Sequence, residues 1–227
     1  MIIITGVSGS IGRVLFDNYS RSDDSTIGTY NRNKPDLDSQ NKLFKVNISD
    51  YEQVNDFIET IKSDLKNICL INCAAIVYDA FAHKANPDQW KEVIDTNLTG
   101  TFYMIRSLLP YMRDQNYGRI VNLSSVVAQT GAIGTTAYAA SKAGLWGLSK
   151  SLAIENASKN ILINSLNLGY METGMTDCIP EDLQFNIRNN IPLKKFGSPR
   201  EIIHAIDYLV ASDYVTGTSI DVNGGLH

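Results

Sequence analysis

The sequence predicts an α/β protein built on one doubly wound sheet of about seven parallel strands, with helices on both faces. Three observations predict it. Short apolar runs of strand length alternate with helix-period segments along all 227 residues, the pattern of parallel βαβ units. Runs such as 2–4 and 68–73 are almost continuously apolar, as expected of strands covered by helices on both faces. The first run ends in a glycine-rich turn, TGVSGSIG over 5–12, where a strand passes directly into a helix.

The elements follow in order. Strands are expected at 1–5 (MIIIT), 25–30 (STIGTY), 42–46 (KLFKV), 68–73 (ICLINC), 118–124 (GRIVNLS), 161–167 (ILINSLN) and 218–222 (TSIDV). Helices are expected to begin near Ile11, Asp50, Pro87, Thr136 and Pro199, the third continuing through Asn97 to Met112. The longest stretch without a clear element runs over 169–198. A long insert near the carboxyl end of a late strand is expected to serve as a substrate loop or lid; a plain surface excursion is the alternative. With no repeat, linker or low-complexity tract, residues 1–227 read as a single domain.

Composition excludes several classes. Apolar residues make up 44% and charged residues 19%, with a net charge of −4. No basic run marks a nucleic-acid footprint, and no apolar stretch is long enough for a transmembrane helix. Met1 leads straight into strand-like residues, unlike a secretory signal. The three cysteines, Cys69, Cys73 and Cys178, form no CxxC pattern, which fits reduced thiols in a cytoplasmic protein. Cys69 and Cys73 sit in an apolar run and are expected to be buried packing. His83, His204 and His227 are scattered and offer no metal cluster. Without a secretory route, the sequons at Asn47, Asn97, Asn122 and Asn156 are expected to be chance.

The glycine turn is an anion-site candidate, because backbone N–H groups and a helix N-terminus would point at phosphates. Ser10 raises two readings. If it must take a positive φ, the loop is strained, since such a conformation costs about 1 kcal/mol. If Gly9 takes that role, Ser10 is ordinary and its hydroxyl can face a phosphate. The stretch NLSSVVAQTGAIGTTAYAASKAG over 122–144 carries the sharper signal. Tyr138 and Lys142 are four apart and share a helix face. A phenol with a reference pKa near ~10 needs help to act near neutrality, and a nearby ammonium lowers it. Lysine also offers three donors to ribose hydroxyls. Ser125, at a strand end, can donate to a substrate oxygen.

On these residues the chain resembles the short-chain dehydrogenase/reductases, and most closely their 3-oxoacyl-[acyl-carrier-protein] reductase branch, over nearly its whole length. TGVSGSIG is similar to the cofactor loop, INCAA (71–75) to the Asn-Asn-Ala-Gly strand end, and DTNLTGTF (95–102) to the segment with the family's fourth catalytic residue. GRIVNLSSVV, YAASKAG, LNLGYMETGMT, LKKFGSPREI and VTGTSIDVNGG complete the match. Cys73 and Ala75 depart from the family pattern, Leu168 replaces a proline, and Ser10 replaces the middle glycine of the compact-branch loop. Glycines at 6, 9 and 12 instead fit the extended branch. That branch carries a large C-terminal substrate domain, for which this chain has no room after its last expected strand.

The resemblance implies a single-domain Rossmann fold and a reaction that interconverts a carbonyl and a secondary alcohol by hydride transfer. It implies that Tyr138 exchanges the proton, Ser125 holds the oxygen, Lys142 lowers the Tyr138 pKa and grips the nicotinamide ribose, and Asn97 supports a proton-relaying water. It places the cofactor on Gly6, Ser8, Gly9, Ser10, Ile11 and Gly12, with Asn47 and Ile48 at the adenine and Asn72 and Ala74 at the adjacent ribose. Gly169, Met171 and Thr173 complete that contact set, with Tyr138 and Lys142. The end of the second strand reads GTYNRNK over 28–34, with Tyr30 at the acidic position of NAD enzymes and then Asn31 and Arg32. A guanidinium there suits a 2′-phosphate, so NADP(H) is expected over NAD(H).

A 3-oxoacyl thioester is the leading substrate, with a sugar, polyol or other small alcohol as the alternative of the same chemistry. A non-catalytic nucleotide-binding sensor or scaffold is the alternative of another class. An acyl-carrier partner would want a basic rim, for which Arg113, Arg119, Lys150 and Lys159 are candidates. The family's habit of forming tetramers or dimers implies a homo-oligomer, with an apolar stripe at 145–154 free to serve an interface or the sheet.

Overall fold

The computed structural model describes residues 1–22, 25–37, 42–173, 176 and 179–226. Among them, seven strands form one sheet: β1 (Ile2–Thr5), β2 (Ile27–Tyr30), β3 (Lys42–Lys45), β4 (Cys69–Asn72), β5 (Gly118–Ser125), β6 (Ile161–Leu168) and β7 (Ser219–Val222). All six pairings are parallel, in the order β3-β2-β1-β4-β5-β6-β7. Each strand lies within two residues of its expected bounds. The winding reverses between β1 and β4, so a crevice opens at their carboxyl ends.

Among the described residues there are eight α-helices: α1 (Ser10–Ser20), α2 (Tyr51–Ile61), α3 (Pro87–Ile94), α4 (Gly100–Gln115), α5 (Val127–Thr130), α6 (Thr136–Asn156), α7 (Glu181–Asn190) and α8 (Pro199–Ala211). Alternating strand residues feed two cores. Ile3, Leu70 and Ile120 join Phe57, Met104, Leu108 and Leu152 of α2, α4 and α6. Ile4, Ile71 and Val121 join Leu15, Phe16, Ile202 and Ile206 of α1 and α8. This two-sided burial is why the strands read as unbroken apolar runs. A π turn over Asp95–Thr99 joins α3 to α4 and carries the expected continuation past Asn97 to Gln115.

Several expectations need correction. The 169–198 stretch is not free of regular structure, because α7 occupies Glu181–Asn190 and Met171 bridges to Gly197. No residue of α7 is buried, so it carries no apolar period to read. Cys69 is buried as expected, but Cys73 is only partly so and faces a cavity; Cys178 and His227 lie outside the described residues. Arg119 does not belong to a basic rim. It is 3% exposed and donates to Asp213 at 2.6 Å and to the carbonyls of Gly118, Asn160 and Val210. Arg113 is exposed and donates to the Asn156 side chain. In the 145–154 stripe, Leu152 and Ala153 pack on the sheet and Leu145 is buried, while Ile154 is 83% exposed. Among the described residues no helix is long and apolar enough to cross a membrane, and no His, Cys, Asp and Glu cluster could hold a metal.

Candidate active site

A cavity of about 850 Å³ occupies the crevice. The β1–α1 turn lines it with Gly6, Ser8, Gly9, Ser10, Ile11 and Gly12. Asn31 and Arg32 enter from the end of β2, Asn47 and Ile48 from the end of β3, and Ala74 from the end of β4. Ser125 closes β5, Tyr138 and Lys142 descend from α6, and Gly169, Met171 and Thr173 follow β6. Asn72 and Asn97 stand outside this lining. Asn72 is buried in the sheet and donates to Asn122 at 2.8 Å, which donates on to Ser149.

The turn answers the Ser10 question in a way neither reading expected. Gly6 takes the left-handed conformation, with φ of +73°. Gly9 is extended, with φ of −77°, and caps α1, while Ser10 is the first helical residue. The turn needs Gly6 for its φ and because a Cβ there would press on the Ala74 backbone at 2.5 Å. It needs Gly12 because a Cβ there would overlap the Gly6 carbonyl oxygen. A Cβ at Gly9 would meet only that same oxygen, at 3.4 Å. Asp50, Asn86 and Ser198 cap α2, α3 and α8 with side-chain acceptors, whereas α1 has neither such a cap nor an acidic residue in its first turn. Its first residues, Ser10, Ile11 and Gly12, line the cavity, and a helix N-terminus so placed suits an anion.

The polar cluster is built by β5, α6 and the π turn. Tyr138 and Ser125 are each 8% exposed and Lys142 4%. The Lys142 ammonium lies 5.6 Å from the Tyr138 ring centre and donates to the Leu123 carbonyl at 2.6 Å. Ser124 donates to the Lys142 carbonyl and ties α6 to β5. Burial pushes the Tyr138 phenol up to about 12, against the pull of a hydrogen bond with Ser125. Burial also draws Lys142 down to about 8. The expected lowering of the Tyr138 pKa by Lys142 is not seen here: the lowering contribution comes from Ser125, and desolvation disfavours the charged forms of both Tyr138 and Lys142. Cys73 beside them is pushed up to about 11 by burial. Asn97 is fully buried; its side chain accepts from the Ile76 amide at 2.8 Å and donates to the Ile76 carbonyl and to Ser141.

Sequence reasoning missed four groups. Thr5 accepts from the amides of both Cys73 and Ala74 at 3.0 Å, clipping β1 to the end of β4. The Leu123 carbonyl holds Lys142, and no sequence pattern marks a backbone acceptor. Glu92 of α3 lines the cavity and pairs with Arg32 at 3.0 Å. Thr29 also lines it, 1% exposed, and its hydroxyl has no partner among the described residues. A buried orphan hydroxyl calls for a polar ligand group. With the Gly6–Gly12 cradle and the uncapped helix, it makes the cavity fit a dinucleotide.

Comparison with known proteins agrees with this geometry. A family model described as enoyl-(acyl carrier protein) reductase matches residues 8–227. The chain is 34% identical to the 3-oxoacyl-[acyl-carrier-protein] reductase FabG of Haemophilus influenzae over 234 residues, covering 99% of this chain and 97% of that protein. It is 35% identical to the FabG of Thermotoga maritima over 237 residues, with 99% and 96% covered. It is 42% identical to an acetoacetyl-CoA reductase of Rhizobium meliloti over 187 residues, with 81% and 78% covered.

Proposed function

The chain belongs to the short-chain dehydrogenase/reductase family of oxidoreductases, and from that premise we propose that it is an NADP(H)-dependent reductase of 3-oxoacyl thioesters. The observation that carries the reading is the convergence of Ser125, Tyr138 and Lys142 on one wall of a cavity whose other end is a glycine cradle under an uncapped helix. The names of the relatives support the substrate class, and Arg32 at the end of β2 supports the phosphorylated cofactor.

The cofactor would lie along the carboxyl edge, its pyrophosphate over the amides of α1 and its adenosine between Asn31, Asn47 and Ile48. Thr29 would gain a polar partner there. Gly169, Met171 and Thr173 would border the nicotinamide end. The bound nicotinamide would supply a hydride to the substrate carbonyl carbon.

The chain's own residues manage the oxygen. Ser125 donates a hydrogen bond to the carbonyl oxygen, and Tyr138 gives it a proton. At neutral pH the phenol is protonated, the form that reduction requires. Loss of that proton leaves a phenolate, which the Lys142 ammonium stabilises. Among the described residues Lys142 spends one donor on Leu123, leaving two for ribose hydroxyls. Asn97 is a positioning residue, because its side chain is spent on Ile76 and Ser141. The 169–198 segment is read as the substrate lid, and the chain as one catalytic domain that self-associates in a cytoplasmic setting.

The test is a panel assay of purified protein with NADPH or NADH against acetoacetyl-CoA, a ketose and a simple ketone. NADPH oxidation fastest with acetoacetyl-CoA supports the reading. Preference for the ketose would replace the substrate class. Cofactor binding without turnover on any carbonyl would favour a sensor.

A further inference from the structure

Arg32 is not waiting alone at the end of β2. Its guanidinium pairs with Glu92, and both side chains line the same end of the cavity. The pair joins two segments 60 residues apart, the loop after β2 and helix α3. Arg13 of α1 holds the same loop from the other side, through the Asp36 carbonyl. The Arg32 and Glu92 side chains are 77% and 52% exposed, so the pair serves little as a structural clamp, since exposed ion pairs contribute little stability. Its place in the cavity wall suggests another role. A 2′-phosphate reaching Arg32 would meet a guanidinium already engaged and a carboxylate of its own sign a few ångströms away. A ribose bearing a 2′-hydroxyl would meet neither penalty.

We propose that Glu92 sets the cofactor preference of this enzyme by competing with the 2′-phosphate for Arg32, so that discrimination for NADP(H) over NAD(H) is weaker than Arg32 alone would give. The inference rests on the reading of Arg32 as the phosphate ligand. A 2′-hydroxyl carries no charge for the Glu92 carboxylate to repel, so its effect falls on the phosphorylated cofactor.

Fluorescence titration of NADPH and NADH at fixed ionic strength, with wild type, Glu92→Gln and Arg32→Ala, tests it. Removing one negative charge near a phosphate dianion at a solvated site should tighten NADPH by roughly three- to tenfold. NADH affinity should stay within about twofold, and the NADPH gain should shrink as salt rises. An unchanged NADPH affinity in Glu92→Gln, or an equal change for both cofactors, overturns the inference. Arg32→Ala separates the two claims. If it weakens NADPH selectively while Glu92→Gln does nothing, only the competition is wrong. If it leaves NADPH affinity unchanged, the reading of Arg32 itself falls, and the inference with it.

Discussion

The three glycines of the first turn differ in what they can tolerate. Gly12→Ala drives a methyl into the Gly6 carbonyl, so it should weaken cofactor binding by at least about a hundredfold or destabilise the fold by about 2–4 kcal/mol. Gly9→Ala meets only an ordinary contact and should bind within about threefold of wild type. Ser10→Gly should bring no gain in affinity, because Ser10 is an unstrained helical residue; titration and thermal melts of the three variants check this order. The spacing of the glycines was legible in the sequence, but the division of labour was not, because it depends on how closely Gly12 and Ala74 approach Gly6. Lys142 makes a second case at this scale. Its folded pKa lies near 8, below its ordinary value of 10.5. Below pH 8 the protein holds a charge that burial disfavours, and that cost is released as pH rises from about 8 toward 10.5. Lys142→Met should therefore be more stable than the free wild type at pH 7, by about 1–3 kcal/mol. The gap should shrink by roughly half by pH 9.5, as read by melts across that range. A gap that stays constant or widens would mean that Lys142 is not buried as a cation.

At the level of elements, the join between α3 and α4 does the most for the site. The π turn turns Asn97 inward, where one side chain fixes both backbone groups of Ile76 and reaches Ser141 on the helix of Tyr138 and Lys142. Asn97→Ala leaves these groups unpaired and should cost about 2–4 kcal/mol in denaturant unfolding. It should also lower kcat more than it weakens cofactor, since it touches the placement of α6 rather than the glycine turn. The continuation of the helix through Asn97 was legible, while the π turn was not, as no local residue pattern announces one. Helix α7 escaped notice for a different reason. Its apolar residues Leu183 and Phe185 are exposed and Ile187 is only half-buried, so the two-faced pattern that betrays a packed helix is missing. Helices α2, α3 and α8 were found within a residue of their starts because each is packed on one face and capped by a short polar side chain.

For the molecule as a whole, the sheet order explains why distant segments meet. Reversal of the winding between β1 and β4 gathers the ends of β1 to β6 around one crevice; of the residues expected to hold cofactor, Tyr138 and Lys142 reach it from α6, Asn72 stays outside its lining, and the others follow strand carboxyl ends. That much follows from strand count and βα alternation. The Arg32–Glu92 pair and the Asn72–Asn122 link could not be read so, because they join residues 60 and 50 apart through the register of packed elements. The buried Arg119 was likewise hidden, since its partners lie at the far ends of β5, α8 and the turn before β6. For the whole enzyme we propose that Tyr138 donates the proton in reduction of a thioester-linked ketone. The most direct measurement is NADPH consumption with acetoacetyl-CoA by wild type and Tyr138→Phe, with NADPH affinity measured in parallel. Turnover in the variant should fall at least about a hundredfold while affinity stays within about threefold; turnover at the wild-type rate would contradict the mechanism.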